Sequence, residues 1–171
     1  MNGLFPADTL RLAAVILEKC RKRGLKLATA ESCTGGMISS CFTEIPGSSD
    51  VFDRGFATYS NAAKHEMLGV DLGLINTHGA VSEPVVQSMA KGAIEHSRAG
   101  ISVAVTGVAG PGGGTANKPV GLVHIAVSSN FNQLTRHQAC HFTGTRSEIR
   151  QQTVTWALVL LNDALDQDPD R

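Results

Sequence analysis

The chain of 171 residues has 15 basic and 15 acidic side chains, so its formal net charge is zero at pH 7. A neutral chain lacks the electrostatic attraction that draws proteins to nucleic acid or to anionic membranes, and we expect neither as a partner. With 42% hydrophobic and 18% charged residues, the composition excludes a disordered chain and is typical of one folded domain, here residues 1–171.

Hydrophobic periodicity and turn residues divide the chain into alternating helices and strands. The first half is predicted to contain a helix from Asp8 or Thr9 to Arg23, a strand over 25–30, a helix over 36–42, a strand over 52–60, a short helix capped by Asn61 and a helical turn over 71–77. The second half is predicted to contain a helix from Ser82 to about Arg98, a strand over 101–106, strands over 120–128 and 134–142 joined by 130–132, and a helix over 145–165. This order predicts an α/β fold, a three-layer α/β/α sandwich around a mixed, mostly parallel sheet.

The cysteines give no indication of a disulfide framework. Cys20, Cys33, Cys41 and Cys140 show no CxxC spacing. The N-terminus lacks a signal-peptide pattern, and no apolar run reaches the length needed to cross a bilayer. We therefore expect a cytoplasmic protein with reduced thiols.

The stretch LKLATAESCTGG, residues 25–36, combines a strand, a tight polar turn and the start of a helix. Such a turn places small reactive side chains and free backbone N–H groups at the carboxyl edge of a sheet. Gly35 and Gly36 let the backbone approach a ligand closely, and the first amides of a helix favour an anion or an oxyanion. We interpret this turn as the site.

Ser32 is the candidate nucleophile, because an exposed serine at a strand-to-helix elbow resembles the geometry of serine hydrolases. Lys64 offers a base, since a partly desolvated lysine has a lowered pKa, and Tyr59 offers a group to orient or relay the proton. From spacing alone, a solvated surface lysine is the commoner interpretation of Lys64. Cys33 is the rival nucleophile, although a buried thiol is its commoner role.

A second glycine-rich stretch, residues 106–115, follows the predicted central strand. A dinucleotide-binding fingerprint needs a helix next, whereas Pro111, three glycines, Pro119 and another strand follow here, so that interpretation fails. We favour a ligand-covering loop over a plain surface connection.

The six histidines form no strong metal-ligand motif, and His137 and His141 lie too far apart along one strand to share a metal, so we expect none. Arg146 begins the last helix, where a cation opposes the helix dipole, which indicates an anionic partner such as a phosphate. The alternative is an exposed arginine that pairs with Glu148 or with solvent. Judged on this residue alone, the alternative is the better interpretation.

Five stretches resemble, in order, the motifs of the CinA C-terminal domain family: TAESCTGG, GFATYSNAAKHEMLGV, GAVSEPVV, AVTGVAGPGGGTANKPVGLVHIAV and FTGTRSEIRQQTV. The resemblance extends from about Leu10 to Leu161 and is to the stand-alone form, without the molybdopterin-binding-like domain of longer CinA proteins. The sequence departs from many members at Thr145, where they have an acidic residue.

The resemblance implies nicotinamide-nucleotide amidase activity in pyridine nucleotide salvage: hydrolysis of nicotinamide mononucleotide (NMN) to nicotinate mononucleotide and ammonia, without cofactor or metal. Matched motif to motif, Ser32 is the nucleophile, Lys64 the base and Tyr59 its helper. The substrate-binding residues that we expect are Glu31, Cys33, Thr34, Gly35, Gly36, Asn61, Thr106, Gly107, Gly110, Gly112 and Arg146.

Two other functions stay open at the level of sequence. One is a nucleotide-binding module without catalysis that acts through a partner in DNA uptake or damage responses. The other is an amidase for a different pyridine or nucleotide amide. Apolar residues spread over several predicted helix faces favour a homo-oligomer.

Overall fold

The structure, a computed structural model, describes residues 3–131 and 133–167. The helices of this part of the chain are α1 (Ala7–Lys22), α2 (Met37–Thr43), α3 (Asn61–Leu68), α4 (Leu72–His78), α5 (Glu83–Glu95) and α6 (Arg146–Asp166). The strands are β1 (Leu27–Glu31), β2 (Phe52–Ala57), β3 (Ile101–Gly107), β4 (Leu122–Ser129) and β5 (Thr135–His141).

The strands form a sheet in the order β2-β1-β3-β4-β5. Strand β1 pairs in parallel with β2 and β3, whereas β4 is antiparallel to both β3 and β5. The mixed sheet is thus confirmed, but the prediction that it is mostly parallel is wrong, because the hairpin strands β4 and β5 make two antiparallel pairs beside the two parallel ones. Because β1 and β3 run side by side, Glu31 pairs with Val105, and the residues that follow both strands share one carboxyl edge.

Side-chain size alternates along the central strands and separates two cores. Val103 and Val105 of β3 face a core shared with α1, α2 and α6. Ala104 faces the opposite core, which is shared with α3, α4 and α5. The small residues of this second face allow α5 to lie close, and the hydroxyl of Ser102 donates to the carbonyl of Ala90 on α5 at 2.6 Å. The predicted three-layer sandwich is confirmed.

Helix starts differ from the prediction where a neighbouring residue takes the capping position. Helix α1 begins at Ala7 after Pro6, which offers no side-chain cap, rather than at Asp8 or Thr9. Helix α3 is capped by Ser60, whose Oγ accepts a hydrogen bond from the Ala63 amide at 3.0 Å. The prediction that Asn61 is the cap is therefore wrong.

Strand β1 ends at Glu31, one residue beyond the prediction, because its ladder with β2 and β3 extends through Glu31. Of the predicted 130–132 connection, residue 132 lies outside the described residues, as do residues 168–171 of the polar tail. The four cysteines are unpaired and buried. In residues 3–131 and 133–167, no helix is both long and apolar enough to cross a membrane.

Candidate active site

Glu31, the last residue of β1, is a buried carboxylate that organises the following turn. One of its oxygens accepts hydrogen bonds from the Thr34 hydroxyl and the Ile38 amide, both at 2.7 Å. The other accepts from the amide and the hydroxyl of Ser39 at 3.0 and 2.9 Å. These bonds satisfy N–H groups in the first turn of α2. Glu31 and Thr34 are buried as whole residues, with exposed fractions of 1% and 0%, so neither presents a surface that a ligand could contact.

The turn closes through two glycines with positive φ. Gly35 has φ +58° and Gly36 has φ +107°, a region that side chains with a Cβ rarely adopt. The Gly35 amide donates to the Ser32 carbonyl at 3.1 Å and is therefore occupied. The amides of Thr34 and Gly36 have no acceptor in the described part of the chain. Thr34 is fully buried and Gly36 is partly exposed, so the Gly36 amide is the one of the two that the turn can offer to a ligand.

Ser32 and Lys64 meet at this edge of the sheet, although they are far apart in sequence. The Ser32 amide donates to the Val105 carbonyl at 3.0 Å, which fixes the turn beside β3. The Lys64 side chain reaches in from α3, and its Nζ lies 3.0 Å from the Ser32 Oγ and 2.9 Å from the Thr58 carbonyl oxygen. The exposed fraction is 1% for Lys64 and 9% for Ser32. The surface interpretation of Lys64 is therefore wrong.

The surroundings of Lys64 favour its neutral form. Burial lowers the pKa of the amine, and the nearby Cys33 opposes this only in part. A neutral amine has two N–H donors and one lone pair. It can therefore donate to the Thr58 carbonyl and accept the Ser32 hydroxyl proton, which is the arrangement of a general base beside a nucleophile.

Cys33 lies beside Ser32 but is held as a thiol. Burial raises the pKa of Cys33 to about 12, an effect that its own backbone amide offsets only in part. Because the thiolate is the nucleophilic form, Cys33 is inert near neutral pH. The geometry thus favours Ser32 over Cys33 as the nucleophile.

Tyr59, Arg146 and Gly110 form a second cluster that joins three separate segments. One terminal nitrogen of Arg146 donates to the Tyr59 hydroxyl at 3.0 Å, and the other donates to the Gly110 carbonyl at 2.8 Å. Tyr59 is 65% exposed and contacts neither Ser32 nor Lys64 through a hydrogen bond. Its contact within the predicted site is thus with Arg146, not with the proposed base.

Arg146 is free for this contact because the start of α6 is capped by its neighbours. The Thr145 hydroxyl accepts from the Glu148 amide at 3.3 Å, and the Glu148 carboxylate accepts from the Thr145 amide at 2.7 Å. This reciprocal pair is a capping box. The Glu148 carboxylate therefore binds Thr145 and does not pair with Arg146. The alternative from the sequence was right that Arg146 is exposed and wrong in the pairing with Glu148.

The other predicted substrate contacts lie on the loops and strand ends around these clusters. Thr106 is buried, and its hydroxyl donates to the Ala80 carbonyl at 2.9 Å, which ties the end of β3 to the segment before α5. Gly107 pairs with Val123 of β4, where an added Cβ would collide with β4. Asn61 and Gly112 are exposed.

Arg150 is a residue of the site that sequence reasoning missed. Its Nε donates to the Cys33 carbonyl and a terminal nitrogen donates to the Thr34 carbonyl, both at 3.0 Å. The guanidinium therefore links α6 to the candidate turn. Its place in the last motif, one helical turn after Arg146, is the signal that could have identified it.

A histidine pair lies on β4 and β5, apart from the turn. The Nδ1 of His124 lies 2.8 Å from the Nε2 of His137, and His137 Nδ1 lies 3.5 Å from a Glu83 carboxylate oxygen. Burial, with a smaller effect from His137, lowers the pKa of His124. In the part of the chain that the structure describes, no group of three or more His, Cys, Asp or Glu residues is arranged to hold a metal ion.

Fold and site together define an α/β protein with a serine–lysine pair at the carboxyl edge of a mixed sheet. Comparison with known proteins gives the family: residues 9–165 match the model of the CinA C-terminal domain, and the chain belongs to this family. It is similar to nicotinamide-nucleotide amidohydrolase PncC of Escherichia coli K12, with 43% identity over 91% of this chain and 93% of that protein.

Solved structures agree with this assignment. The crystal structure of the competence/damage inducible protein CihA from Agrobacterium tumefaciens superposes with a TM-score of 0.93 at 50% identity, covering 97% of this chain and 100% of that one. Other relatives are longer. The chain is 48% identical over 158 residues to a CinA-like protein of Syntrophobacter fumaroxidans but spans only 37% of its length.

Proposed function

We propose that this protein is an amidohydrolase that converts the carboxamide of NMN to a carboxylate and releases ammonia. The observation that carries the proposal is the 3.0 Å contact between the Ser32 hydroxyl and the buried Lys64 amine. The name of the Escherichia coli relative, nicotinamide-nucleotide amidohydrolase, and its 43% identity to this chain support the substrate class. The same type of site would also serve another nucleotide amide, so the substrate is tested separately from the chemistry.

In the first step, the Ser32 Oγ attacks the carboxamide carbon while neutral Lys64 accepts the hydroxyl proton. The carbonyl electron pair moves onto oxygen and gives a tetrahedral intermediate. As this intermediate collapses, the C–N bond breaks and protonated Lys64 returns the proton to the departing amino nitrogen, which leaves as ammonia. An unreactive amide needs this proton, because an amide anion is too basic to leave.

The turn amides supply the donors for the negative charge of the intermediate. The Gly36 amide, in the turn that follows Ser32, is without an acceptor in the described chain, and Gly36 is partly exposed. We place this amide as an oxyanion donor, with the backbone of Cys33, Thr34 and Gly35 as the frame of the turn. Loss of one such donor typically costs on the order of a hundredfold or more in rate.

In the second step, water attacks the acyl group on Ser32 and gives its proton to Lys64. Collapse of the second intermediate releases nicotinate mononucleotide and restores the Ser32 hydroxyl and neutral Lys64. These steps use the chain's own residues and water, so the proposal includes neither a cofactor nor a metal.

Arg146 and the loop that contains Gly110 are proposed to hold the nucleotide part of the substrate. Arg146 is exposed and oriented by Tyr59 and Gly110, and a guanidinium suits the planar recognition of a phosphate. Tyr59 then helps catalysis indirectly, by fixing Arg146. Asn61, Gly107 and Gly112 complete the proposed binding surface, and the buried Thr106 supports it from below through its bond to Ala80. A homo-oligomer and a cytoplasmic location stay predictions from the sequence.

Ammonia release from NMN by the purified protein tests this proposal. Turnover is expected for wild type and for Lys91→Met, which alters an exposed lysine of α5, and not for Lys64→Met. Saturable NMN binding without turnover by the wild type would contradict the proposal and favour the non-catalytic module. Turnover of another pyridine amide but not of NMN would keep the chemistry and overturn the substrate.

A further inference from the structure

The side chain of Tyr59 runs from the candidate catalytic pair to Arg146. Its backbone follows Thr58, whose carbonyl oxygen lies 2.9 Å from the Lys64 Nζ, and the same Nζ contacts Ser32. At its other end, the Tyr59 hydroxyl accepts the hydrogen bond from Arg146 at 3.0 Å. The phenol ring therefore lies between the proposed hydrolytic centre and the guanidinium that is proposed to bind phosphate.

The sheet topology places this ring beside the Ser32 turn. Strands β2 and β3 flank β1 and run parallel to it, so the three strands end at one edge of the sheet. Ser32 follows β1, Tyr59 follows β2 and Gly110 follows β3. Because Arg146 binds both Tyr59 and Gly110, the cluster spans the strand end that carries Ser32.

The ring of Tyr59 has an open face. The residue is 65% exposed, so the chain does not cover both faces of the ring. Arg146 binds the hydroxyl, which lies at the edge of the ring, and within the described residues no aromatic ring stacks on Tyr59. A ring that is fixed at both ends offers a rigid surface on which a flat ligand can stack at low entropic cost.

We propose that the face of Tyr59 binds the pyridinium ring of the substrate and makes the site prefer a cationic ring to a neutral one. The inference rests on the proposed function, because the nicotinamide ring of NMN is an N-substituted pyridinium cation. The face of a phenol ring has a partial negative charge and attracts cations. NMN has its carboxamide, ring and phosphate in the same order as Ser32, the Tyr59 face and Arg146. The charge of Arg146 then meets the phosphate and not the ring.

Binding of NMN and of its reduced form, NMNH, tests this inference. Both ligands have the same carboxamide, ribose and phosphate, but the dihydropyridine ring of NMNH is neutral. Dissociation constants are measured by calorimetry in Ser32→Ala, so that neither ligand is hydrolysed during the titration. We expect NMN to bind more tightly than NMNH. Adding Tyr59→Leu removes the aromatic face and is expected to reduce the ratio of the two constants on the order of 2- to 5-fold.

Two matched variants separate the ring face from other roles of Tyr59. Tyr59→Phe keeps the face and removes the hydroxyl that holds Arg146, so both ligands are expected to bind more weakly by a similar factor. The ratio of their dissociation constants is expected to stay unchanged. Met67→Leu, an exposed change on α3, is expected to keep both constants. A general disturbance of the fold would weaken both ligands alike, whereas loss of the face weakens mainly the cation.

An unchanged ratio in Tyr59→Leu would overturn the inference, and so would the absence of NMN binding to Ser32→Ala. A fall of the ratio in Tyr59→Phe as large as in Tyr59→Leu would also overturn it, because the effect would then belong to the hydroxyl. Ammonia release from NMN by the wild type is assayed separately. Ammonia release with an unchanged ratio contradicts only the role of Tyr59, and a ring-dependent ratio without ammonia release contradicts only the proposed hydrolysis.

Discussion

The amine of Lys64 lies 3.0 Å from the hydroxyl of Ser32, and both groups are almost fully removed from solvent. An exposed lysine is protonated at neutral pH and cannot act as a base. Burial shifts Lys64 towards the neutral form, because the charged form loses more hydration energy than the neutral form. The α3 helix therefore does more than complete a layer of the sandwich: it delivers a desolvated amine to the serine at the sheet edge.

The activity is expected to depend on pH through Lys64. Burial lowers the pKa of this amine from its ordinary value of 10.5, and the neutral form is the base, so kcat/KM is expected to rise with pH to a plateau. The midpoint is expected below 10.5. A pH profile of ammonia release measures it, and a midpoint at or above the ordinary lysine value would contradict a desolvated base.

Cys33 is expected to be dispensable for the chemistry. With a pKa raised to about 12 by burial, its thiol is protonated near neutral pH and reacts slowly with alkylating agents. Cys33→Ala is expected to keep kcat within about tenfold of wild type, since the turn contributes backbone groups at this position. Rapid inactivation by iodoacetamide that Cys33→Ala abolishes would instead assign the nucleophile to the thiol.

Arg146 and Tyr59 are expected to act on substrate binding. Arg146→Gln removes the proposed phosphate contact, and we expect KM for NMN to rise on the order of tenfold or more while kcat changes little. Tyr59→Phe removes the hydroxyl that holds Arg146 at 3.0 Å and is expected to give a smaller change in the same direction. Steady-state kinetics with NMN separate the two constants.

A large fall in kcat for Tyr59→Phe at unchanged KM would contradict this assignment of Tyr59. It would support the direct proton relay that the sequence suggested. Ser147→Ala, an exposed change next to Arg146, controls for disturbance of the start of α6 and is expected to leave both constants unchanged.

Stability is expected to fall on the acid side because of His124. Burial lowers the pKa of His124 in the folded state, so the unfolded chain binds the proton more tightly. The contribution of His124 to the free energy of unfolding is therefore complete above its unfolded-state pKa of about 6.5. It is lost as the pH falls from there towards the lower folded-state pKa. Urea unfolding midpoints between about pH 5 and 7.5 measure the slope, which is expected to be shallower in His124→Gln. An unchanged slope in His124→Gln, or an equal change in the exposed control His78→Gln, would rule out this origin.

The sequence was most informative where one local pattern of residues predicts both the secondary structure and the candidate site. Strand, polar turn and glycine pair identified the Ser32 turn, because that order has few other uses at a sheet edge. Alternating helices and strands likewise predicted the sandwich. The prediction was less accurate at the start of α3. Ser60 and Asn61 are both good capping residues, and backbone geometry decides which of the two caps the helix.

The burial of Lys64 could not be read from its neighbours, because it results from packing of α3 over residues 32 positions away. Arg150 was missed for a similar reason: an arginine within a helix gives no local sign that it binds two carbonyls of a distant turn. The contact between Arg146 and Tyr59 joins groups 87 residues apart. Each of these side chains has a role that only the folded chain defines.

The most direct test is hydrolysis of NMN by wild type and Ser32→Ala under identical conditions, followed by ammonia release. The account predicts turnover by the wild type and a loss of at least about a thousandfold in kcat for Ser32→Ala, as for removal of a catalytic nucleophile. The folded state of the variant is checked by its urea midpoint. Wild-type turnover by folded Ser32→Ala would contradict the central claim that the Ser32 hydroxyl attacks the amide.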